Sequence, residues 1–308
     1  MKKTISILLV LVLVAVSAFA TPTIGGRFGV KYTYTYGSGD NGLTAGNRNY
    51  MTLTDSNDYW SIYFGSQGYQ YGTYNAYATL NLDKMLADAG LTLPEELSLS
   101  ADIGVNGLYA GYAYIDAAGN DAWYLPLATD STTPFGLTVG YKGWSLYAAA
   151  GLEKDKKSFG LSVQGTVTDG VDVQAAYSQE VNAVSASFGV DVAKLASLDF
   201  ALSAGAYAEL YFDDMSTNKY VGGLTAGFDA LSAYAEFISD SGSMSLNGGA
   251  GYKFNKIFSA GISGGVGDFS DAANTWSVGG YAQASLSGVA TRLTVSNKKV
   301  EVRTQFNF

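Results

Sequence analysis

The sequence predicts an all-β protein, a closed antiparallel up-and-down barrel of about 18 strands that spans a membrane. Apolar side chains recur at every second position through most of the chain, and the turns between these runs are brief. After Ala20 no stretch approaches the ~20 uninterrupted apolar residues of a membrane helix. Only helices and closed barrels satisfy their backbone groups in lipid, so a membrane protein without such a helix is predicted to be a barrel.

The first residues have the form of an export signal. A basic start at Met1–Lys3 precedes an apolar run at Ile5–Phe19 and a small-x-small sequence that ends at Ala20. We predict a signal peptide of residues 1–20, cleaved after Ala20, and a transmembrane β-barrel of residues 21–308. A membrane anchor is the alternative, but the run is shorter than a spanning helix. No Cys lies near the cleavage site, which excludes a lipoprotein anchor.

The clearest alternation opens the barrel, where even positions are apolar, aromatic or glycine and odd positions include Arg27 and Lys31. Before Thr133 we predict five strands, at Thr23–Gly37, Tyr59–Gly65, Tyr71–Leu82, Leu97–Val105 and Leu108–Ile115. The pattern is vague at Asn47–Thr54 and Trp123–Leu127. Totals of roughly 16 or 20 strands are therefore allowed beside 18, since bacterial barrels close with an even number.

About thirteen strands follow Thr133. They are predicted at Phe135–Tyr141, Trp144–Leu152, Phe159–Val167, Val171–Gln179, Val184–Val190, Leu198–Phe212, Tyr220–Phe228, Leu231–Phe237, Met244–Phe254, Phe258–Val266, Trp276–Leu286, Val289–Val295 and Val300–Phe308. Two segments, Asp83–Gly90 and Asp191–Ala196, have the residues of short helices. We interpret both as connectors. The alternative, in which both cap the same end of the barrel, would favour twenty strands.

The turns fall into a short class and a longer class. If both chain ends lie in the periplasm, counting strands back from Phe308 places the tight turns there. They are Lys142–Gly143, Thr168–Gly170, Asn255–Lys256 and Ser287–Gly288. The same count places more polar loops outside, at Glu153–Lys157, Asp213–Asn218, Ser239–Gly242 and Asp268–Asn274. Asp191–Ser197 is a periplasmic exception long enough for a helical turn.

Aromatic residues are predicted to ring the barrel at both membrane interfaces. The inner ring comprises Tyr141, Trp144, Phe254, Phe258, Phe306 and Phe308, and the outer ring comprises Phe212, Tyr220, Phe237 and Trp276. Between the rings the same faces carry Ala, Leu, Val and Gly. A soluble β-sandwich or solenoid also alternates, but it does not explain the signal, the rings and the last strand together.

The last strand is amphipathic. Its even positions are Val300, Val302, Thr304, Phe306 and Phe308, and its odd positions are Glu301, Arg303, Gln305 and Asn307. This strand resembles the C-terminal signature of bacterial outer-membrane β-barrels, which the assembly machinery reads. The resemblance implies that Phe306 and Phe308 are the assembly signal. It also implies a bacterial outer-membrane location, with lipid and the barrel-assembly machinery as partners.

If the apolar faces meet lipid, the opposite faces line the interior. Small and polar residues prevail there, and a barrel of this size without a plug domain encloses water. Four predicted pore-lining cations meet on one wall when the barrel closes: Arg27, Lys31, Arg292 and Arg303, with Lys299 near the outer rim. The predicted pore-lining acids lie mostly on strands away from this wall: Asp102, Asp172, Asp199, Glu209 and Glu236.

This layout resembles that of general porins, in which separated charges produce a transverse field at the constriction. The simpler interpretation is that charges on a wet wall are well solvated and that Glu301 pairs with Arg303 or Lys299. Trimeric porins also carry a long loop folded into the pore. Tyr36–Tyr59 and Ile115–Pro134 are the candidates for such a loop.

Composition narrows the function. The 308 residues include 38 Gly and 23 Tyr but no Cys and no His. Disulfides, Ser-His-Asp or thiolate catalysis, and zinc sites built on imidazole or thiolate are therefore excluded. Loss of Lys2 and Lys3 with the signal leaves 16 basic against 27 acidic residues, a net charge of −11, which argues against nucleic acid. We predict no enzyme, no cofactor and no metal.

The predicted function is that of an outer-membrane porin, a water-filled channel for passive diffusion of small hydrophilic solutes or ions. The alternative is a surface-exposed interaction or adhesion protein that displays loops on a barrel. Acidic loops at Asp213–Asp214 and Asp268–Asp271 could bind Ca²⁺ or ligands in that case. Most outer loops are short, which favours the channel. Assembly into homo-oligomers is left open by the sequence.

Overall fold

The computed structural model describes residues 22–45, 49–67, 74–105, 108–109, 125–128, 134–152 and 157–308. The predicted signal peptide and its cleavage site at Ala20 lie outside these ranges. Most of the candidate loop Ile115–Pro134 also lies outside them.

Strands β1 to β21 are numbered along the chain. They are β1 (Thr23–Thr35), β2 (Asn41–Ala45), β3 (Tyr50–Ser56), β4 (Trp60–Gln67), β5 (Tyr74–Asn81), β6 (Leu97–Val105), β7 (Leu108–Tyr109), β8 (Pro126–Ala128), β9 (Pro134–Tyr141), β10 (Trp144–Leu152), β11 (Lys157–Thr168), β12 (Val171–Ser178), β13 (Ala183–Asp191), β14 (Ala201–Tyr211), β15 (Lys219–Phe228), β16 (Leu231–Asp240), β17 (Ser243–Lys253), β18 (Phe258–Val266), β19 (Trp276–Leu286), β20 (Val289–Ser296) and β21 (Lys299–Asn307).

The wall closes where β1 pairs antiparallel with β21, with Phe28 opposite Phe306 and Lys31 opposite Arg303. One half of β1 pairs with β2 and the other half with β3, so β2 and β3 share one position in the wall. Strand β6 pairs with β9, while β7 and β8 form a separate two-stranded sheet. The described residues therefore build a closed wall of 18 strands, which confirms the predicted fold class and count.

One of the predicted strands is wrong, and another wall position is filled by a segment with no clear pattern. The described part of Leu108–Ile115 is β7, which pairs with β8 and not with the wall. The wall strand that was not predicted is formed by β2 and β3 together. Ala45 pairs with Val30 and Tyr50 pairs with Arg27. Tyr50 lies five residues after Ala45, but Arg27 lies only three residues before Val30, so the alternation of this strand is interrupted. One predicted strand is absent from the wall and one wall strand was not predicted, so the total of 18 strands is unchanged.

The two ends of the barrel differ. The turn end carries residues 22 and 308, the short turns at 142–143, 169–170, 229–230 and 287–288, and helical connections at 82–96 and 192–200. The opposite, loop end carries longer loops at 212–218 and 267–275 and two-residue turns at 241–242 and 297–298. The turn at Lys142 and Gly143 has φ of 50° and 81°. Positive φ at both central residues is the geometry of a two-residue hairpin turn, and glycine adopts it without steric cost. The predicted tight turns thus lie at one end.

Both predicted short helices are present. Helix α1 (Leu82–Asp88) joins β5 to β6, and α2 (Val192–Ala196) joins β13 to β14 at the same end. Asp191 caps α2, since its side chain accepts a hydrogen bond from the Lys194 amide at 3.0 Å. A third helix, α3 (Ala272–Thr275), lies at the loop end. None of the helices in the described ranges is long and apolar enough to cross a membrane.

The outward face of the wall is apolar. On β1, Phe28 is 53% exposed, whereas Gly29 on the opposite face is buried. The predicted aromatic positions are all exposed and lie at strand ends: Tyr141, Trp144, Phe254, Phe258, Phe306 and Phe308 at the turn end, and Phe212, Tyr220, Phe237 and Trp276 at the loop end. This is the apolar band between aromatic girdles that a membrane barrel needs.

Candidate functional site

The barrel interior holds an inward-folded segment, residues 125–128. Its apolar side chains pack with small residues on the interior face of β10, β12 and β13; the cluster is Leu125, Leu127, Ala128, Ala149, Ala176 and Ala183. Both leucines are fully buried. Because the wall alanines alternate with outward-facing residues, the segment lies against the inside of the barrel.

A glycine makes room for this segment. A Cβ atom at Gly160 on β11 would come 2.6 Å from Leu127 Cδ2 and 3.0 Å from Leu127 Cα, so a larger residue would displace the segment. Ser158 and Ser162, the neighbouring interior positions, are each only 4% exposed. Of the two candidate constriction loops, Ile115–Pro134 thus contributes a described piece inside the barrel. The other, Tyr36–Tyr59, supplies wall strands β2 and β3.

Three of the four predicted pore-lining cations form one row across adjacent strands. Lys31 on β1 is the register partner of Arg303 on β21, and Arg303 is the partner of Arg292 on β20. Side chains at such positions start about 5 Å apart, so like charges repel unless neighbours offset the repulsion. We call Lys31, Arg303 and Arg292 the cation row. Arg27 lies nearer the turn end, and its Nε donates to Asn307 Oδ1 at 3.3 Å.

Two neighbours stabilise the cation row. Glu301 Oε2 lies 3.9 Å from Lys31 Nζ and 3.0 Å from Lys299 Nζ. The guanidinium carbon of Arg292 lies 3.8 Å from the centre of the Tyr281 ring, a cation–π contact. The carboxylate offsets part of the like-charge repulsion, and the ring holds one arginine against the wall.

Glu209 and Glu236, two of the predicted pore-lining acids, are buried at 2% and 1% exposure. The Tyr207 hydroxyl donates to Glu209 Oε2 at 2.6 Å, and the Tyr211 hydroxyl donates to Oε1. Lys219 Nζ lies 4.0 Å from the same carboxylate. A buried carboxylate requires such partners, so Glu209 is held inside the structure and is not open to passing ions.

The three aspartates among these acids are in different places. Asp102 on β6 accepts a hydrogen bond from Thr79 Oγ1 at 2.6 Å. Asp172, near the turn end of β12, is exposed and accepts from Thr166 Oγ1 at 2.6 Å. Asp199 lies in the connection before β14, outside the wall strands. The five predicted acids therefore do not form one cluster.

Several solved structures share this architecture across nearly the whole chain. OccK11 (OpdR) of Pseudomonas aeruginosa is similar with a TM-score of 0.57 at 11% identity, covering 94% of this chain and 95% of that one. OpdQ of the same organism gives 0.56 at 12% identity, covering 94% and 97%. A mutant porin of Rh. blastica gives 0.51 at 14% identity, covering 94% and 100%. The fold is that of a porin-type barrel.

At these identities the likeness concerns the fold of this porin-type barrel. No model of a known protein family matches the sequence, and no characterised protein matches it by sequence. The function must therefore be argued from the interior itself.

The acidic loops of this porin-type barrel act as helix caps. Asp214 accepts from the Ser216 amide at 3.0 Å and caps the 3₁₀ helix Met215–Thr217. Asp268 accepts a hydrogen bond from the Ser270 amide at 2.8 Å and caps the 3₁₀ helix Phe269–Asp271. Hydrogen bonds from these serines lower the pKa of both aspartates. Within the described ranges no group of three or more acidic residues is placed to hold a metal ion.

The tyrosine contacts of Glu209 were not found from the sequence. The tyrosines that hold Glu209 lie two positions before and after it, so an alternating Tyr-x-Glu-x-Tyr pattern on an interior face was the available signal. Segment 125–128 lies in Ile115–Pro134, one of the two predicted candidates for a loop folded into the pore, but the residues that dock had no signal of their own, because these leucines resemble those of any short strand.

Proposed function

We propose that the protein is an outer-membrane porin that lets small hydrophilic solutes and ions diffuse passively through its interior. The observation that carries the proposal is a closed 18-stranded wall, apolar outside and polar inside, in which the described part of the chain folds segment 125–128 against a part of the inner wall. Interior positions under that segment on β10 to β13 are buried, whereas those on β17 to β21 are largely half-exposed. Half-exposed polar residues inside a closed wall support a water-filled path.

Around the cation row the accessible charges are mostly positive, which favours anions there. The cation row and Arg27 lie on the half-exposed part of the wall, while Glu209 and Glu236 are buried. Accessible positive charge on one wall of a narrow aqueous path raises the local concentration of anions. A transverse field produced by these cations and the more distant acids is part of the same proposal.

The deciding test is single-channel conductance of residues 21–308 refolded into planar bilayers. Steady steps with anion preference are expected, and the quadruple variant Arg27→Gln, Lys31→Gln, Arg292→Gln, Arg303→Gln should shift the preference toward cations. The matched control replaces four cations in turns and connections by Gln: Lys142, Lys194, Lys256 and Lys298. The control variant should keep the anion preference of the wild type. A folded barrel without conductance would overturn the channel and redirect attention to its surface loops.

The location and route follow from the same proposal. Porin-type architecture supports a bacterial outer-membrane location, reached with a signal peptide of residues 1–20 cleaved after Ala20. Phe306 and Phe308, both exposed at the turn end, are proposed as the signal for the barrel-assembly machinery. N-terminal sequencing of outer-membrane protein should begin at Thr21, and alanine at both phenylalanines should reduce the assembled fraction.

A further inference from the structure

The carboxylate of Glu301 connects the cation row to Lys299. Glu301 lies on β21 two positions from Arg303, on the same interior face. Its Oε2 atom lies 3.0 Å from Lys299 Nζ, which is within hydrogen-bond distance, and 3.9 Å from Lys31 Nζ, which is beyond it. Lys299 therefore anchors the carboxylate, and the carboxylate holds Lys31 by charge attraction alone.

The three members of the cation row are held in different ways. Lys31 is engaged by Glu301, and the guanidinium of Arg292 lies over the ring of Tyr281. Arg303 lies between these two cations, and in the described part of the chain it has no hydrogen-bond or ion-pair partner. A guanidinium over a ring still has N–H groups that can donate to an anion. Arg303 and Arg292 are thus available to an oxyanion, whereas Lys31 is shared with Glu301.

The space between these side chains suits an anion with two charges. Three adjacent cations attract such an anion strongly, but a conducting path needs sites that release an ion as well as admit it. A carboxylate on the same wall lowers the affinity, because an anion gains Lys31 only by displacing Glu301. This displacement is easy, since Lys299 stays with the carboxylate and compensates its charge. The Glu301 side chain is 17% exposed, so it reaches the space that the anion would enter.

We propose that Glu301 is an internal competitor for the cation row and sets its affinity for divalent oxyanions, an inference that rests on the proposed channel function. In the absence of an anion, Glu301 attracts both Lys299 and Lys31. When an oxyanion binds Arg303, the ammonium group of Lys31 turns to the anion and Lys299 keeps Glu301. Lys31 exchanges one charged partner for another, so it adds little to the affinity and the anion leaves readily.

The test is the inhibition of chloride current by sulfate in planar bilayers. Glu301→Gln should lower the half-inhibiting sulfate concentration about tenfold, because Lys31 then has no competing carboxylate. Glu301→Asp keeps the charge but draws the carboxylate away from Lys31, so it should lower that concentration to a smaller extent. Glu96→Gln is the matched control. Glu96 also pairs with a lysine, Lys142 at 3.5 Å, but it lies at the turn end, and its loss should leave the inhibition unchanged.

A double-variant comparison separates competition for Lys31 from a direct effect of the Glu301 charge on the anion. In the Lys31→Gln background, Glu301→Gln should change the half-inhibiting sulfate concentration far less than it does in wild type. An equal change in both backgrounds would overturn the proposal, since the carboxylate would then act on the anion without Lys31. The same half-inhibiting concentration in wild type and Glu301→Gln would also overturn it.

Sulfate binding is measured a second time by isothermal titration calorimetry of the refolded barrel in detergent, so that it does not depend on conductance. Tighter sulfate binding in Glu301→Gln without channel steps in any variant would overturn the proposed function and leave the role of Glu301 standing. Channel steps without sulfate binding in wild type and Glu301→Gln alike would overturn the role of Glu301 and leave the channel standing. Each variant is first shown to be folded by heat-modifiable migration.

Discussion

Asn49 binds both backbone groups of Gly29: its Oδ1 accepts from the Gly29 amide at 2.7 Å, and its Nδ2 donates to the Gly29 carbonyl at 3.2 Å. This side chain stands where β2 and β3 leave a gap beside β1. It supplies the two hydrogen bonds that a continuous strand would have provided with its backbone. The wall therefore stays closed across an interruption of its second strand.

Replacement of Asn49 by Ala should destabilise the barrel by about 2–6 kcal/mol, because it leaves a donor and an acceptor of the wall unpaired at about 1–3 kcal/mol each. Asn49→Asp keeps the acceptor, so its free energy of unfolding should lie between that of wild type and that of Asn49→Ala. The measurement is the free energy of unfolding in denaturant from lipid vesicles. Asn41→Ala, an exposed position on β2, is the control and should leave that free energy nearly unchanged. Equal stability of the Asn49 and Asn41 variants would contradict the role of Asn49.

The docking of segment 125–128 should set the width of the path. Leu125 and Leu127 are fully buried against wall alanines, and loss of a buried leucine side chain costs about 2–5 kcal/mol. The double change Leu125→Asn, Leu127→Asn should release the segment from the wall and alter the unitary conductance. Leu195→Asn, at an exposed position of α2, should not. Conductance identical to wild type in the double variant would show that the segment does not restrict the path.

The ring of Tyr281 should hold Arg292 in the cation row. Without the ring, repulsion by Arg303 can push the guanidinium from its place, at a loss of about 0.5–2 kcal/mol of cation–π energy. Tyr281→Ala should therefore lower anion selectivity and increase current noise. Tyr281→Phe, which keeps the ring, should retain both properties. If both variants lose anion selectivity, the hydroxyl and not the ring matters. If both keep it, neither matters. In either case the cation–π explanation is wrong.

The acid caps of the loop end should be lost at low pH. Ser216 and Ser270 hold the pKa of Asp214 and Asp268 below its ordinary value. A lowered carboxyl pKa stabilises the fold at pH values above the ordinary one, and this stabilisation is lost as the pH falls through the lower, folded-state value. Ser216→Ala should raise the pKa of Asp214, measured by carbon NMR of the carboxyl. Thr217→Ala is the control, since that hydroxyl donates to the Asp214 carbonyl and not to its carboxylate. An unchanged Asp214 titration in Ser216→Ala would refute the assigned cause.

Period-two alternation was enough to predict the barrel, its outward face and the tight turns. The reason is local: each wall strand lies between lipid and a wet interior, so the pattern of a strand such as Val300–Phe308 records both environments without any knowledge of its partner. Strand parity likewise placed Lys31, Arg292 and Arg303 on the interior face. Closure between the first and last strands then had to bring them to one wall.

Register, burial and docking depended on contacts between distant parts of the chain. Alternation says which face a residue occupies, but only pairing places Lys31 directly opposite Arg303. The burial of Glu209 depends on its tyrosine neighbours and Lys219, and the position of Leu127 depends on the space left by Gly160. A segment that folds inward is stabilised by the shape of a wall built from other strands, so its own residues carry no periodic record of where it lies.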